Sequence, residues 1–268
     1  MEEYPKIRLR SYGEDPGTNV VHNARQGRYL RKPMPEIVYE DDDLVVVVKP
    51  HGMVTHPAHA HPDGTLWNQL VDLFAARGLP DHPRLLHRLD RDTSGLICVP
   101  KLPAAHRSLE RALRAGRFEK RYLALATGRM EDAGTIEAPL GRDLLDRRRV
   151  CVREDGQHAR THFRAIRRFH DYTLLRISLD TGRTHQIRVH LAHVGHPLAG
   201  DTVYGDARPV CERLFLHADC LAFPHPAGKE MVRCLAPLPA DLKLALCRLA
   251  VSEREAGERS NCSCAAYH

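Results

Sequence analysis

The chain carries the sequence HRLDRDTSGLI at residues 87–97, which places the acidic residue Asp90 between Arg88 and Arg91. The apolar run LICV at residues 96–99 predicts a short buried strand, so Asp90 is expected in a loop that leads into the core. Loops anchored in this way often carry chemistry. A carboxylate flanked by guanidinium groups stays ionised, because nearby positive charge stabilises its charged form. The pattern favours a nucleophile or a base over a proton donor, although a plain ion pair with Arg88 or Arg91 would produce the same few residues.

The longer string resembles the signature His-Arg-Leu-Asp-x-x-Thr-Ser-Gly of the RluA-type pseudouridine synthases, which isomerise uridine in RNA. The resemblance implies that Asp90 is the catalytic aspartate. It also implies substrate-binding roles for the residues around it, namely His87, Arg88, Arg91 and Thr93. Arg88 is expected to fill the space that a flipped base leaves in the RNA.

A second motif, TGRTHQIRVHLA at residues 181–192, resembles the Gly-Arg-Thr-His-Gln-Ile-Arg motif of the same family. Apolar residues at helical spacing after its turn predict a helix with one buried face, and they place Arg188 near the start of that helix. The resemblance implies that Arg188 pairs with the catalytic carboxylate. Arg183, His185 and Gln186 would support the site or contact RNA, although the residues alone explain His185 equally well as a packed polar side chain.

Two shorter segments extend the resemblance. The sequence FEKRY at residues 118–122 places Tyr122 at the position of the family's active-site tyrosine, where it would stack on the flipped base. The sequence KPHG at residues 49–52 resembles the family's first motif, which supports the active-site loop. Further matches continue along the chain, so the resemblance covers about residues 36–250.

The apolar patterning predicts an α+β fold, with a mixed, mainly antiparallel central sheet and flanking helices. Neither a βαβ repeat nor a glycine-rich nucleotide fingerprint is present in the sequence. The fold of the resembled family is of the predicted kind. Strands are predicted near residues 37–39, 44–48, 96–99, 118–126, 150–152, 161–166 and 172–179, and helices near 65–74, 104–115 and 186–194.

The chain divides into three parts by composition. Residues 1–35 form an arginine-rich, weakly periodic extension, too short and irregular for a complete appended RNA-binding domain. Residues 36–250 are predicted to be the catalytic domain. Residues 251–268 are predicted to be a disordered C-terminal tail.

The overall charge suits a polyanionic partner. The 268 residues carry a formal charge of +6, and 33 of the 40 basic residues are arginine. Arginine binds phosphate bidentately and stacks on bases, which is compatible with RNA binding, but a GC-rich genome would produce the same bias. The sequence has no apolar run of the roughly 20 residues that span a bilayer and no apolar secretory signal at its N-terminus, so a cytoplasmic location without membrane attachment is expected.

Metal and cofactor chemistry are not expected. Six of the eight cysteines are scattered, and only Cys262 and Cys264 are closely spaced, without the second pair that structural zinc usually needs. The His-Glu-x-x-His pattern of a metal-dependent hydrolase is absent from the sequence. Isomerisation of uridine adds no atom, so it requires no cofactor.

The sequence thus predicts an enzyme that flips specific uridines out of a structured RNA, a tRNA or rRNA stem-loop, and isomerises them at Asp90. Asp90 would act as a nucleophile or as a base at the ribose, and the sequence leaves both routes open. No obligatory protein partner is expected, and the chain is predicted to be a monomer. The alternative is a protein of the same fold that binds or folds RNA without turnover.

Overall fold

The structure is a computed structural model that describes residues 34–58, 61–80, 82–146, 149–205, 210–228 and 230–263. Most of the predicted N-terminal extension, residues 1–33, lies outside these ranges. The helices are α1 (Leu66–Ala76), α2 (Pro103–Arg114), α3 (Gln186–His193) and α4 (Ala240–Ser263). The strands are β1 (Glu36–Glu40), β2 (Leu44–Lys49), β3 (Ser94–Pro100), β4 (Glu119–Thr127), β5 (Ala133–Glu137), β6 (Leu140–Arg142), β7 (Val150–Val152), β8 (Arg160–Arg168), β9 (Tyr172–Leu179), β10 (Leu216–Pro224) and β11 (Met231–Leu235).

Nine strands form one sheet in the order β1-β2-β3-β10-β4-β9-β8-β5, and β11 pairs with β10 off this path. The β3–β10 pair is parallel, and the other pairs of this sheet are antiparallel. Strands β6 and β7 form a separate antiparallel pair. This confirms the predicted α+β class with a mixed, mainly antiparallel sheet.

The local sequence explains the elements that surround the central strands. Strand β3 is buried along its whole length, as its apolar composition predicts. Helix α1 begins at Thr65, whose hydroxyl accepts a hydrogen bond from the Asn68 N–H while the Asn68 side chain accepts one from the Thr65 N–H. This reciprocal cap satisfies two backbone donors that a helix N-terminus otherwise leaves open.

The two faces of the sheet are covered by different elements. On one face, α1 and α3 pack against apolar side chains of β2, β3, β4 and β9, which form the largest core cluster. A second, smaller core cluster consists of apolar residues of α2, β2, β3 and β11. A third cluster consists of apolar residues of α4, β9 and the segment before β10. The large cluster lies beneath the loops that carry the two motifs, so these loops rest on a packed base.

Gly95 is required where β3 meets β10. The two strands pair in parallel at Ser94–His217 and Gly95–Ala218. The φ of Gly95 is 124°, and a Cβ at this position would lie 2.3 Å from the Ala218 carbonyl oxygen. Any side chain here would therefore be strained and would push the central strands apart.

The predicted C-terminal boundary needs correction. Helix α4 continues to Ser263, so residues 251–263 extend a helix where a disordered tail was expected, and residues 264–268 lie outside the described ranges. The apolar stretch before residue 250 supplies the packing, with Leu242 and Ala245 buried against the third cluster. Within the described ranges, none of the helices is both long and apolar enough to cross a membrane.

Candidate active site

The loop that contains Asp90 and the turn before α3 line the same cleft, of about 310 Å³. The half-buried Asp90 lies in its wall together with Tyr122 of β4 and Arg183 of the turn. Asp90 and Arg183 are 93 residues apart in sequence, so the fold itself brings the two motifs together. The rest of the lining is mixed: polar residues that include Lys120 and Asp180 stand beside six apolar ones, Leu86, Leu89, Leu113, Leu179, Ile187 and Leu216.

Lys49 holds the loop that follows Asp90. Its side chain is fully buried, and its ammonium group donates to the backbone carbonyls of Pro50, Met53 and Arg91 at 3.0, 2.7 and 3.1 Å. Burial lowers the pKa of Lys49 to about 7, against the charges of Asp90 and Asp92, which raise it. Three carbonyls match the three N–H donors of the ammonium form. The geometry agrees with the supporting role that the resemblance implies for this motif.

The backbone on the other side of Asp90 is fixed by Thr55. The Thr55 hydroxyl donates to the Leu89 carbonyl at 2.6 Å and accepts from the Leu89 N–H at 3.3 Å. The Thr93 N–H donates to the carbonyl of Asp90 itself, at 3.2 Å. The backbone at Asp90 is thus tied on both sides by hydrogen bonds to buried groups, which limits the positions that its carboxylate can take.

The Thr-Ser-Gly part of the motif joins this loop to the centre of the sheet. The Ser94 hydroxyl lies 2.9 Å from Nδ1 of His217 on β10 and accepts a hydrogen bond from Arg213 at 3.2 Å. Burial lowers the pKa of His217 to about 4, so this histidine is neutral at physiological pH. Thr93 is buried in the cleft wall, and its hydroxyl has no hydrogen-bond partner among the described residues.

Tyr122 lies on the cleft face of β4 and is 6% exposed. Burial raises the pKa of its hydroxyl, and the charge of Asp90 raises it further. The phenol therefore stays protonated, which suits stacking or hydrogen-bond donation and excludes a role as a resting base. This position fits the role predicted from the resemblance.

Arg188 makes a different ion pair from the one predicted. Its Nε and Nη2 atoms donate to the two carboxylate oxygens of Asp201, both at 2.7 Å, and both side chains are almost completely buried. The expected direct pair with Asp90 is thus replaced by a pair with Asp201. Burial lowers the pKa of Arg188, but the hydrogen bonds and charge of Asp201 raise it above its usual value. The charge of Asp90 adds a smaller rise, so Asp90 lies near Arg188 without contacting it directly.

His185 and Arg188 both contact Tyr204, outside the cleft lining. His185 Nδ1 lies 2.8 Å from the Tyr204 hydroxyl, and the Arg188 guanidinium carbon lies 5.0 Å from the centre of the Tyr204 ring. His185 has a φ of 55°, the one positive φ of a non-glycine residue in the described ranges. The contacts favour a positioning role for His185, in place of the RNA contact that the sequence also allowed.

Gln186 shapes the turn before α3. Its amide nitrogen donates to the Arg160 carbonyl and to the Thr161 hydroxyl, at 2.9 and 3.0 Å. Its amide oxygen accepts from the Thr181 hydroxyl and from the Arg183 N–H, at 2.8 and 3.0 Å. Because these bonds occupy the side chain, Gln186 supports the cleft wall and has little capacity left for RNA.

The remaining predicted residues divide between the cleft and the surface. His87, Arg88, Thr93 and Arg183 line the cleft, and the two arginines are exposed. Arg91 is exposed outside the lining, where its guanidinium pairs with Asp92 at 2.9 Å. Arg91 thus contributes to the described loop through its backbone carbonyl, which Lys49 binds.

Lys120 and Asp201 are two site residues that the motif-based prediction missed. Lys120 lines the cleft two residues before Tyr122 on β4, and both side chains are buried on the same face. The two-residue period of a strand would have placed Lys120 beside Tyr122. Asp201 had no such signal, because its contact with Arg188 depends on how the chain folds back after α3.

One group of possible metal ligands occurs in the described ranges, formed by Asp41, Asp43 and His225. The Asp41 carboxylate already accepts hydrogen bonds from the Tyr39 hydroxyl and from the backbone N–H groups of Asp43 and Leu44. The group lies at the β1–β2 turn, apart from the lining of the cleft. The expectation of an enzyme without a metal stays a prediction.

The sequence model of the RNA pseudouridylate synthase family matches residues 43–193. An uncharacterized RNA pseudouridine synthase of Chloroflexus aurantiacus is 50% identical over 205 residues, which cover 75% of this chain and 65% of the relative. The chain therefore spans slightly less than two thirds of that relative's length. Ribosomal large subunit pseudouridine synthase D of Pseudomonas aeruginosa is 41% identical over 90% of this chain and 80% of its own.

A solved structure shows the same fold. Human RNA pseudouridylate synthase domain containing 1 aligns with a TM-score of 0.65 at 31% identity, over 78% of this chain and 85% of its own. The match of the family model and of these relatives extends over both motifs that line the cleft. The chain therefore belongs to the RluA-type RNA pseudouridine synthase family, whose enzymes isomerise uridine to pseudouridine in RNA.

Proposed function

We propose that this chain is an RNA pseudouridine synthase that isomerises specific uridines in structured RNA, with Asp90 as its catalytic residue. The observation that carries the proposal is the position of Asp90 beside Tyr122 in a cleft that is lined by both apolar and polar side chains. A cleft of about 310 Å³ has room for a pyrimidine ring. Its lining contains two acidic residues, and Asp180 pairs with Arg160 and His162, which leaves Asp90 for the substrate. Family membership supports the reaction type.

The reaction needs no atom from outside the substrate. The bond between N1 of uracil and C1′ of ribose breaks, and its electron pair stays on the ring. The ring turns over, a bond forms between C5 and C1′, C5 loses its proton, and N1 gains one. The carboxylate of Asp90 can act as a nucleophile toward the sugar or the base, or as a base at the ribose.

Arg188 acts as a positioning residue in this scheme. Its buried pair with Asp201 fixes a positive charge under the site, where such a charge acts more strongly than in water. The charge interacts with Asp90 without holding it in a direct ion pair. The carboxylate therefore stays available to the substrate.

The exposed arginines in and beside the cleft would bind the RNA. Arg88 and Arg183 lie in the lining with exposed side chains, and Arg91 lies on the adjoining surface. Guanidinium groups bind phosphates bidentately and stack on bases, so Arg88 can occupy the place that the flipped uridine leaves. Tyr122 would stack on the flipped base inside the cleft.

The favoured substrate is large-subunit ribosomal RNA rather than tRNA. This choice rests on the names of relatives such as the Pseudomonas aeruginosa enzyme, of which the matched region covers 80%. Such a substrate implies action in the cytoplasm. We further propose that the chain acts as a monomer without an obligatory protein partner.

Pseudouridine mapping tests the proposal. Total RNA from cells with and without the gene is treated with carbodiimide, which marks pseudouridines as stops for reverse transcription. The expected result is the loss of one or a few stops in large-subunit rRNA, restored by the wild-type gene and not by the Asp90→Asn gene. Unchanged stops in all RNA, with the protein expressed and folded, would favour a protein that binds RNA without turnover.

A further inference from the structure

Three polar groups of the cleft wall have no hydrogen-bond partner among the described residues: Nδ1 of His87, the hydroxyl of Thr93 and the ammonium group of Lys120. Nδ1 of His87 and the hydroxyl of Thr93 are two of the four buried side-chain polar atoms that lack a hydrogen bond in the described ranges. Both belong to residues that line the cleft. Buried polar groups are nearly always paired in folded proteins, so unpaired groups gathered at one cleft indicate a ligand.

The tautomer of His87 makes its Nδ1 atom a hydrogen-bond donor. Its Nε2 accepts a hydrogen bond from the Cys98 backbone N–H at 3.2 Å, so the ring proton is on Nδ1. Burial, aided by the charge of Lys120, lowers the pKa of His87 to about 3, so the ring is neutral. Phe118 packs edge-on against the ring, at 5.7 Å between centroids, which fixes its orientation. Nδ1 therefore presents one N–H without an acceptor.

Lys120 provides a second donor, and a charge. Its side chain is 9% exposed and lines the cleft. Among the described residues, none accepts a hydrogen bond from its ammonium group, and none pairs with its charge. The ammonium lies at the turn before α3, since a Cβ built on Gly182 would be 3.4 Å from the Lys120 Nζ atom. Burial of the side chain lowers the pKa of Lys120 because it disfavours the charged form, and a ligand that supplies an acceptor offsets this cost.

We propose that Lys120 and Nδ1 of His87 donate hydrogen bonds to a carbonyl oxygen of the flipped uracil. This assignment rests on the proposed function and names a contact that recognises the base. When the N1–C1′ bond breaks, the electron pair stays on uracil and its negative charge spreads over N1 and the carbonyl oxygens. A cation fixed at one of those oxygens binds this anion more strongly than neutral uracil, so Lys120 accelerates the bond cleavage.

The depth of these donors favours the base over a backbone phosphate. Lys120 is buried in the cleft wall and shares one face of β4 with Tyr122, on which the base would stack. The arginines suited to phosphate, Arg88 and Arg183, are exposed. A phosphate that reached Lys120 would have to lose its hydration among apolar side chains, whereas a uracil ring fills such a space favourably.

The experiment uses the full chain and a synthetic RNA stem-loop that carries the uridine identified by mapping. Single-turnover pseudouridine formation and RNA affinity are measured for wild type, for Lys120→Met, which keeps the side-chain length, and for Lys243→Met, which removes an exposed lysine. The Lys120→Met rate is expected to fall about 100-fold or more, as on removal of one oxyanion donor. RNA affinity should change by less than about threefold, and Lys243→Met should match wild type. A Lys120→Met rate within about twofold of wild type would overturn the assignment.

Thio-substituted RNA separates a direct contact from a structural effect. Sulfur accepts hydrogen bonds weakly, so 4-thiouridine or 2-thiouridine at the target should slow the wild type at the carbonyl that Lys120 contacts. At that position, the same substitution should slow Lys120→Met little further, because the contact is already lost. Independent, multiplying effects of mutation and sulfur at both positions would refute the contact.

The remaining outcomes are also decisive. Thermal unfolding establishes that Lys120→Met is folded, and Lys120→Gln replaces it if it is not. An inactive wild type on the mapped RNA contradicts the proposed function itself. An active wild type with an unimpaired Lys120 variant contradicts this assignment alone.

Discussion

Arg188 and Asp201 form a buried bidentate ion pair beside the active-site cleft, with both N–O distances at 2.7 Å. Asp201 also accepts hydrogen bonds from the backbone N–H groups of Val203 and Tyr204 at 2.9 and 3.0 Å. These four bonds make the segment after α3 part of the active site. Burial raises the pKa of Asp201, but the hydrogen bonds and charge of Arg188 together with the backbone bonds lower it further, so the pKa falls below its usual range.

Removing one partner of this pair should destabilise the protein strongly. Asp201→Asn leaves the Arg188 charge buried without a counter-charge, and we expect unfolding to become easier by about 3–5 kcal/mol. Urea unfolding measures this change. Glu110→Gln, which breaks the exposed pair between Glu110 and Arg114, is the matched control and should cost less than about 1 kcal/mol. A loss below about 1 kcal/mol for Asp201→Asn would contradict the structural role assigned to the pair.

Lys49→Met should impair both stability and catalysis. It leaves three partly buried carbonyls without their donor, each at a cost of at most about 1–3 kcal/mol, and one of them belongs to Arg91, the residue after Asp90. The turnover rate per folded molecule at saturating RNA should also fall, because the Asp90 loop loses its support. This rate is the decisive measurement.

The control for Lys49 is a lysine with similar bonds remote from the cleft. Lys101 donates to the Asp41 carbonyl at 2.6 Å and pairs with Glu40 at 2.8 Å. Lys101→Met should lower stability while leaving the rate per folded molecule unchanged. Equal rates for the two variants would show that Lys49 does not hold the catalytic loop.

Two buried histidines should make the protein sensitive to acid. The folded-state pKa is about 3 for His87 and about 4 for His217, chiefly because burial disfavours the charged ring. In the unfolded chain both have a pKa near 6.5. Below that pH the unfolded state binds protons that the folded state does not, so the stability present above pH 6.5 falls as the pH decreases toward 4.

Urea unfolding at pH 7, 6, 5 and 4.5 measures this dependence. Each histidine should contribute a slope of roughly 1.4 kcal/mol per pH unit once the pH is below about 6. His217→Gln should give a shallower slope, and replacement of the exposed His193 by glutamine should leave the slope unchanged. A free energy of unfolding that stays constant from pH 7 to 5 would contradict the buried neutral state of both rings.

The sequence patterns were sufficient for elements that depend on local chemistry. The run LVVVV predicts the buried β2, the alternation from residue 118 predicts β4, and the spacing around Leu66 and Leu70 predicts α1. The motifs also identified seven residues of the cleft lining, namely His87, Arg88, Asp90, Thr93, Tyr122, Arg183 and Gln186. These features could be predicted because strand and helix periods, caps and turns are encoded within a few neighbouring residues.

Pairings over long distances could not be predicted in the same way. The Arg188–Asp201 pair depends on the path of the chain after α3. The position of Lys120 in the cleft lining, without an acceptor among the described residues, depends on the register of the sheet. The expected Arg188–Asp90 pair came from a motif, which identifies residue types and does not fix which carboxylate the guanidinium reaches. Helix α4 was not among the predicted helices, and its last turns lie beyond the apolar positions that pack against the third cluster.

The most direct test of the account is pseudouridine formation by the purified chain on an in vitro transcript of large-subunit rRNA, with Asp90→Asn beside wild type. Asp92→Asn, in the same loop, is the matched control because Asp92 pairs with the exposed Arg91 outside the cleft lining. We predict that wild type and Asp92→Asn form pseudouridine, while Asp90→Asn loses at least roughly 1,000-fold in rate and keeps its RNA affinity. Turnover by Asp90→Asn at a rate close to that of wild type would contradict the central role of Asp90.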